Sequence, residues 1–182
     1  MFLLVFLPLL GAVVAHAPVL SFDLLPSLRR PIDGGRTFRG RRLLGDNKTW
    51  RGAIVMFAGI VVATLVLSLW PAYWNRLPAG IQQTAPVLFA LLLATGTVAA
   101  ELPNSFLKRQ LGVPPGRQVR SRLGVALSML DQGDVVIGVW IALLPVWAMT
   151  VPQALLAFTV VGVVHLGVNV VGYSVGAKEV PI

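Results

Sequence analysis

Cysteine is absent from all 182 residues. No disulfide can staple the chain, which excludes a secreted disulfide scaffold, and no thiolate is available as a nucleophile or metal ligand. Acidic residues are nearly as scarce: seven Asp and Glu stand against 15 Lys and Arg, and histidine occurs twice. Charged residues make up 12% of the chain and hydrophobic ones 56%, whereas a soluble domain carries about 25% and about 45–50%. So large an apolar fraction cannot be hidden inside a core of this size, and it is too high for a disordered chain. That argues against an ordinary soluble enzyme. With a mean hydropathy of +0.80, the composition points to a polytopic membrane protein forming one domain over residues 1–182.

Five apolar runs are present: Met1 to Leu20, Ala53 to about Tyr73, about Ala85 to Leu102, about Leu123 to Thr150, and about Gln153 to Gly172. Each approaches or exceeds the length that crosses a hydrocarbon core of ~30 Å. The first run ends in Ala15-His16-Ala17, which mimics a signal-peptide cleavage site. No positive residue precedes its apolar core and Pro18 follows the would-be cut, so it reads as a span. Pro71, Pro78, Pro86, Pro103, Pro145 and Pro152 fall near proposed span ends, where proline does least harm. The expected fold is all-α, with five transmembrane helices.

The net charge is +8. Arg29, Arg30, Arg36, Arg39, Arg41, Arg42, Lys48 and Arg51 lie between spans one and two. Lys108, Arg109, Arg117, Arg120 and Arg122 lie between spans three and four, and Lys178 follows span five. Only Arg76 falls on the other side. The positive-inside rule then puts the N-terminus outside, the C-terminus in the cytoplasm, and two polar loops on the cytoplasmic face of the cell membrane. A pI near 11.4 could suggest nucleic-acid binding. The basic residues sit in gaps between apolar runs, however, which favours anionic lipid or a phosphorylated ligand over nucleic acid.

The first loop, residues 29–52, mixes arginines with Gly34, Gly35, Gly40 and Gly45. Backbone donors and guanidinium forks both match phosphate oxygens. A juxtamembrane basic loop that fixes orientation is the plainer reading, but it does not need Asp33, Asp46, Asn47 and Thr49 inside the run. The glycine spacing is not that of a Walker-type loop. In the second loop, Pro103 and Asn104 can open a short helix that Gly112 closes. On it Asn104 and Lys108 share one face, and Ser105 and Arg109 another. A snorkelling interfacial helix is the alternative.

The sharpest feature is Leu130-Asp131-Gln132-Gly133-Asp134, early in span four. Asp131 and Asp134 are three apart and project from one helical face. In an apolar span, two carboxylates cost several kcal/mol unless paired, protonated or metal-bound. Near a cation-rich cytoplasmic end they suit Mg²⁺, which takes one or two carboxylates together with substrate phosphates. The other open reading pairs both with Arg120, Arg122 or a first-loop arginine, purely to hold the bundle. In span five His165, Asn169 and Tyr173 are four apart in turn and line one face; Asn169 is the better substrate contact. Gly172 and Gly176 fit a small-residue packing pattern. His16, Glu101 and Arg76 read as interfacial or packing residues. With ionisable residues confined to the inner third, a transporter path is poorly supported. An enzyme taking a cytosolic polyphosphate and a lipid that enters between helices fits better.

These segments resemble a family. Pro31-Ile32-Asp33 leading to Gly45-Asp46-Asn47-Lys48-Thr49-Trp50-Arg51-Gly52 is similar to the first cytoplasmic motif of the CDP-archaeol synthases. Leu102-Pro103-Asn104-Ser105-Phe106, with Lys108-Arg109 and Pro114-Pro115-Gly116, resembles their second. Leu130 to Asp134, and the tail from Asn169 through Gly172-Tyr173 to Lys178-Glu179-Val180-Pro181, resemble their third and fourth. The resemblance covers nearly the whole chain in order. It implies five transmembrane helices, an outside N-terminus, CTP and Mg²⁺, and release of a CDP-activated lipid and pyrophosphate. The family is distantly related to phosphatidate cytidylyltransferases.

On this resemblance the acceptor is a membrane glycerol-lipid phosphate, unsaturated archaetidic acid, and the product CDP-archaeol. Asp131 and Asp134 are the expected metal ligands and, with Lys108 and Arg109, the catalytic set. Lys48, Arg51, Lys108 and Arg109 are expected on phosphates. Asp46 and Asn47 are expected at metal, ribose or in loop shaping, and Asn104 and Asn169 at cytosine or ribose. Thr49, Ser105 and Lys178 complete the substrate-binding set. No visible motif reads ether rather than ester chains, so phosphatidate, giving CDP-diacylglycerol, is the alternative acceptor. A non-enzymatic bundle binding anionic lipid is the alternative of another class.

Overall fold

In the computed structural model, which describes residues 1–114 and 122–174, the chain is a bundle of long apolar helices. A 3₁₀ segment, Phe2–Leu9, runs into α1 (Leu10–Ser21). A loop carrying a two-residue hairpin, β1 (Thr37–Phe38) and β2 (Arg41–Arg42), leads to α2 (Trp50–Ser68). Two single turns, α3 (Pro71–Trp74) and α4 (Ala79–Gln82), connect to α5 (Pro86–Gln110). Then come α6 (Arg122–Leu143) and α7 (Val151–Ser174).

Among the described residues four helices are long and apolar enough to cross a membrane: Phe2–Ser21, Trp50–Ser68, Pro86–Gln110 and Val151–Val168. In α6 the apolar stretch of Gly133–Leu143 is shorter. The helices are apolar all round, so the core takes one face and large side chains remain outside on the other. Phe89, Leu93, Ile60, Val139 and Leu143 are fully buried, whereas Val62, Val66, Ile141 and Val163 are more than half exposed. Those outer faces are what a multi-pass membrane protein presents to lipid.

Two close crossings fix the packing. At the first, a side chain at Gly11 would strike the Gly59 carbonyl, and one at Gly59 the Gly11 carbonyl, with Ala15 and Ala63 alongside. At the second, Gly96 and Gly138 meet in the same reciprocal way beside Ala100 and Ala142. Each crossing pairs two glycine-x-x-x-alanine steps, which let backbones approach closely where no hydrophobic effect drives helices together. The α1/α2 and α5/α6 pairs then join along α2 and α5.

The structure differs from expectation at Pro103. The second-loop helix is not separate: Pro103 lies inside α5, which runs unbroken to Gln110. Proline removes only one intrahelical bond, that to the Ala99 carbonyl, and the helix on either side carries through. Gly112, with φ +77°, follows the helix end as expected. Second-loop residues Pro115, Gly116, Arg117 and Arg120 lie outside the described residues, as do Gly176 and Lys178.

Asp33 organises the first loop. Its carboxylate accepts from the backbone N–H groups of Gly35 at 3.0 Å, Leu44 at 2.9 Å and Gly45 at 3.1 Å, and pairs with Arg42 at 2.7 Å. Burial alone would push this carboxyl up; the guanidinium and the three amides outweigh it and hold it well below the usual carboxylate range. A depressed folded value stabilises the loop in full above the ordinary value of about 3.9, and the contribution is lost only as pH falls through the lower folded value. Limited proteolysis of residues 34–49 should therefore stay slow down to about pH 4. Asp33→Asn should accelerate it at neutral pH, at a cost of about 1–3 kcal/mol, because an amide cannot accept from three N–H groups and pair with Arg42.

Candidate functional site

The site forms where α5 and α6 part below the Gly96–Gly138 crossing. Asn104, 8% exposed, donates from one Nδ2 to Asp131 Oδ1 at 2.9 Å and Asp134 Oδ2 at 3.0 Å. Lys108, one turn further along α5, pairs with Asp131 Oδ1 at 2.6 Å. Asp134 Oδ1 also accepts from the Val135 N–H at 2.7 Å. The helical spacing that put Asn104 and Lys108 on one face, and Asp131 and Asp134 on another, is what brings the four together. The amide spends both its hydrogens on carboxylates, and its own oxygen is buried without a donor.

The pairing partner of the aspartates is thus Lys108 with Asn104. No described first-loop arginine reaches them: Arg41 donates to the Gln110 carbonyl, Arg42 holds Asp33 and Asp46, and Arg51 holds Asp23. Arg120 and the Arg122 side chain lie outside the described residues.

Other candidate residues are elsewhere. Arg109, 8% exposed, donates to the carbonyls of Leu44 and Val113 and so ties the first loop to the end of α5. Ser105 is buried on the same side of the helix. Arg51, 8% exposed, pairs with Asp23 at 2.6 Å and donates to the Leu24 carbonyl. Neither guanidinium is presented to the aspartate pair, and both serve packing here. Thr49 caps α2: its Oγ1 accepts from the Gly52 N–H at 3.2 Å. Asp46, Asn47, Thr49 and Arg51 line a polar cavity of about 560 Å³ with His16 and Arg29. Asn169 lies in α7, and its side chain, with those of His165 and Tyr173, is outside the described residues, as is Lys178.

Two residues were missed as partners. Glu101, read as a packing residue, takes Lys48 of the first loop into an ion pair, one helical turn before Asn104. Asp23, just past α1, is held by Arg51 and by Arg29 at 3.4 Å. The Arg51 guanidinium, countered in part by burial and assisted by Arg29, keeps the Asp23 carboxyl below its ordinary value. The available signal was scarcity: with seven acids in the chain, an acid beside a basic loop is a candidate anchor.

Fold and site together define a multi-pass helical membrane protein with carboxylates, an amide and a lysine gathered between two helices. A family model described as CarS-like CDP-archaeol synthase matches residues 2–182. The CDP-archaeol synthase of Methanoculleus marisnigri is 40% identical over 160 residues, covering 83% of this chain and 89% of that one. The CDP-archaeol synthase of Pyrococcus horikoshii is 34% identical over 156 residues, covering 83% and 82%. A solved structure, described as an intramembrane enzyme for archaeal membrane lipids biosynthesis, superposes with a TM-score of 0.67 at 28% identity, covering 91% of this chain and 90% of that one. This chain is a membrane enzyme. It belongs to the CDP-archaeol synthase family.

The Lys48–Glu101 pair joins the first loop to α5 one turn before Asn104, and both side chains are about three-quarters buried. Lys48→Glu and Glu101→Lys should each speed hydrogen exchange in residues 41–49. The double exchange should restore most of the protection, with a coupling of about 1 kcal/mol in the cycle. Purely additive effects would mean that the pair does not hold the loop.

Proposed function

We propose that the chain transfers CMP from CTP to a membrane lipid phosphate, unsaturated archaetidic acid, giving CDP-archaeol and pyrophosphate at the cytoplasmic face of a five-span bundle with its N-terminus outside. The observation that carries this reading is the convergence of Asp131 and Asp134 on the single Asn104 amide, beside Lys108, in a chain of this family. The crowding of cations on one side supports the orientation.

The donor set suits Mg²⁺. Two carboxylate oxygens lie within about 3 Å of one amide nitrogen, and the amide oxygen beside them has no hydrogen to accept. Among the described residues no third His, Asp, Glu or Cys joins them, which disfavours an all-protein cage of the kind Zn²⁺ or Ca²⁺ prefers. Asp131 and Asp134 would hold the ion, with the Asn104 carbonyl as a neutral third donor. When bound, Mg²⁺ neutralises phosphate charge and polarises the phosphorus–oxygen bonds.

The chain's own residues do the rest. A lipid phosphate oxygen bonds to the α-phosphorus of CTP, the bond from that phosphorus to the bridging oxygen breaks, and pyrophosphate leaves. A phosphate monoester, with its second pKa near ~6, is already largely ionised at neutral pH, so no protein base is needed. The difficulty is bringing two anions together. Lys108 sits where it can exchange Asp131 for a phosphate oxygen, and Lys48 can do the same from Glu101. The polar cavity lined by Asp46, Asn47 and Thr49 offers the donors and acceptors that a nucleotide needs.

Purified protein with CTP, Mg²⁺ and unsaturated archaetidic acid should release pyrophosphate, and chelation should stop it. Asp131→Asn and Asp134→Asn should each lower kcat by about a hundredfold or more. Full turnover in both variants would overturn the metal assignment. Turnover should be faster with the ether-linked acceptor than with diacyl phosphatidate; the reverse order would make the product CDP-diacylglycerol.

A further inference from the structure

A cavity of about 460 Å³ runs along the seam between α5 and α6 and ends at the aspartate site. Its walls are apolar: Ala99 and Leu107 on one helix face Leu130, Ile137 and Ile141 on the other, and Asn104 and Asp134 form the polar part. Thr95 and Leu107 bound it on α5, Leu130 and Ala142 on α6. The twelve helical steps between these bounds on each helix correspond to about 18 Å, close to the depth of one leaflet of a ~30 Å core.

The seam is open sideways. Leu107, Leu130, Ile137 and Ile141 are 41%, 42%, 47% and 62% exposed. At the Gly96–Gly138 crossing α5 packs tightly on α6 through small residues, and these also line the groove. Helix α7 does not close it: α7 meets α6 through Phe158 on Gly133, a different face from that of Asp134. An apolar slot of this depth, open to the hydrocarbon, suits a lipid chain. Its polar part is the Asp134 carboxylate and the Asn104 amide with its unpartnered oxygen, and Asn104 links directly to Asp131, which Lys108 pairs; that set suits a phosphate headgroup with its counter-cation and not a neutral one.

We infer that the α5/α6 seam is the lateral entry and seat for a hydrocarbon chain of the acceptor lipid phosphate, delivering its phosphate to Asn104, Lys108 and the aspartates. This rests on the reading of the chain as a lipid cytidylyltransferase. It adds the direction of approach: the lipid arrives between α5 and α6, while the polar cavity beside α1 and α2 shares no lining residue with the groove.

Ala99→Trp and Ile137→Trp add bulk in the slot at exposed positions outside the packed core. Each should raise KM for archaetidic acid about tenfold or more, with KM for CTP within about twofold and turnover of a short-chain soluble lipid phosphate retained. Val62→Trp, on an exposed face of α2, is the control and should leave both constants unchanged. Unchanged lipid KM in both groove variants would overturn the inference. A lipid phosphate bearing a diazirine in its chain should, without CTP, label residues 95–107 and 130–142. Unlabelled lipid phosphate should displace it, and the same diether with an uncharged headgroup should not. Label elsewhere, or displacement by both lipids alike, would sink the groove even if turnover is normal. Displaceable label in the seam, with no cytidylyl transfer to any lipid phosphate, would keep the groove and remove the activity.

Discussion

Two carboxylates on one turn of an apolar helix repel each other, Asp134 partly buried and Asp131 half exposed, and the rest of the site is built around that conflict. Asn104 settles its geometry. One buried amide nitrogen gives a hydrogen to each carboxylate and points both at the same spot. An amide carries no charge, however, so it orients the pair without neutralising it. Lys108 offsets one negative charge and leaves the other. A purely structural ion pair would cancel its charges and fill every acceptor; here a negative charge and a buried oxygen are left over in the same place. That surplus is what the proposed cation and phosphates would answer.

Elsewhere the scarce acids are used as anchors. Asp33 and Asp46 hold Arg42, Asp23 holds Arg51 and Arg29, and Glu101 holds Lys48. Backbone carbonyls do similar work: Gln110 accepts from Arg41, and Leu44 from Arg109, while the Gln110 side chain returns a bond to the Arg42 carbonyl. The first loop is therefore fastened to the C-terminal end of α5 by polar contacts from β2 and Leu44. A basic loop beside a membrane would otherwise spread over anionic headgroups. Held this way, it lies along the end of α5, with Lys48 reaching Glu101.

What the sequence made legible follows from range. Apolar runs of about 20 residues report helices because a span must satisfy its backbone internally, and all five runs lie on helices, the second and fourth ending earlier than expected at Ser68 and Leu143 and the third running past Leu102 to Gln110. The Asp131–Asp134 face and the Asn104–Lys108 face are local spacings, and both survive into the structure. Long-range pairing is not local. Arg51 and Lys48 are three apart in one motif, yet one turns back to Asp23 and the other crosses to Glu101. No spacing rule distinguishes a guanidinium kept for phosphate from one that meets a distant acid, and none shows that Arg109 meets the Leu44 carbonyl. Pro103 was misread differently: proline is a stop signal in water, but in a packed membrane helix one lost bond is tolerated.

The separation of the two cavities has a mechanistic consequence. Lipid phosphate and CTP are both anions, and on the proposed reading they reach the aspartates from different flanks, one through an apolar seam and one through a polar recess. A lipid cannot enter the recess without stranding its chains among Arg29, Asp46 and Asn47, and a triphosphate cannot enter the seam without losing its water to Leu107 and Ile137. Selectivity between the substrates is then set by solvation before any specific contact is made. Glu101 lies one helical turn before Asn104, so a phosphate competing for Lys48 would also alter the field at the aspartates. Occupation of one flank would in this way prepare the other, with no larger movement of the helices required.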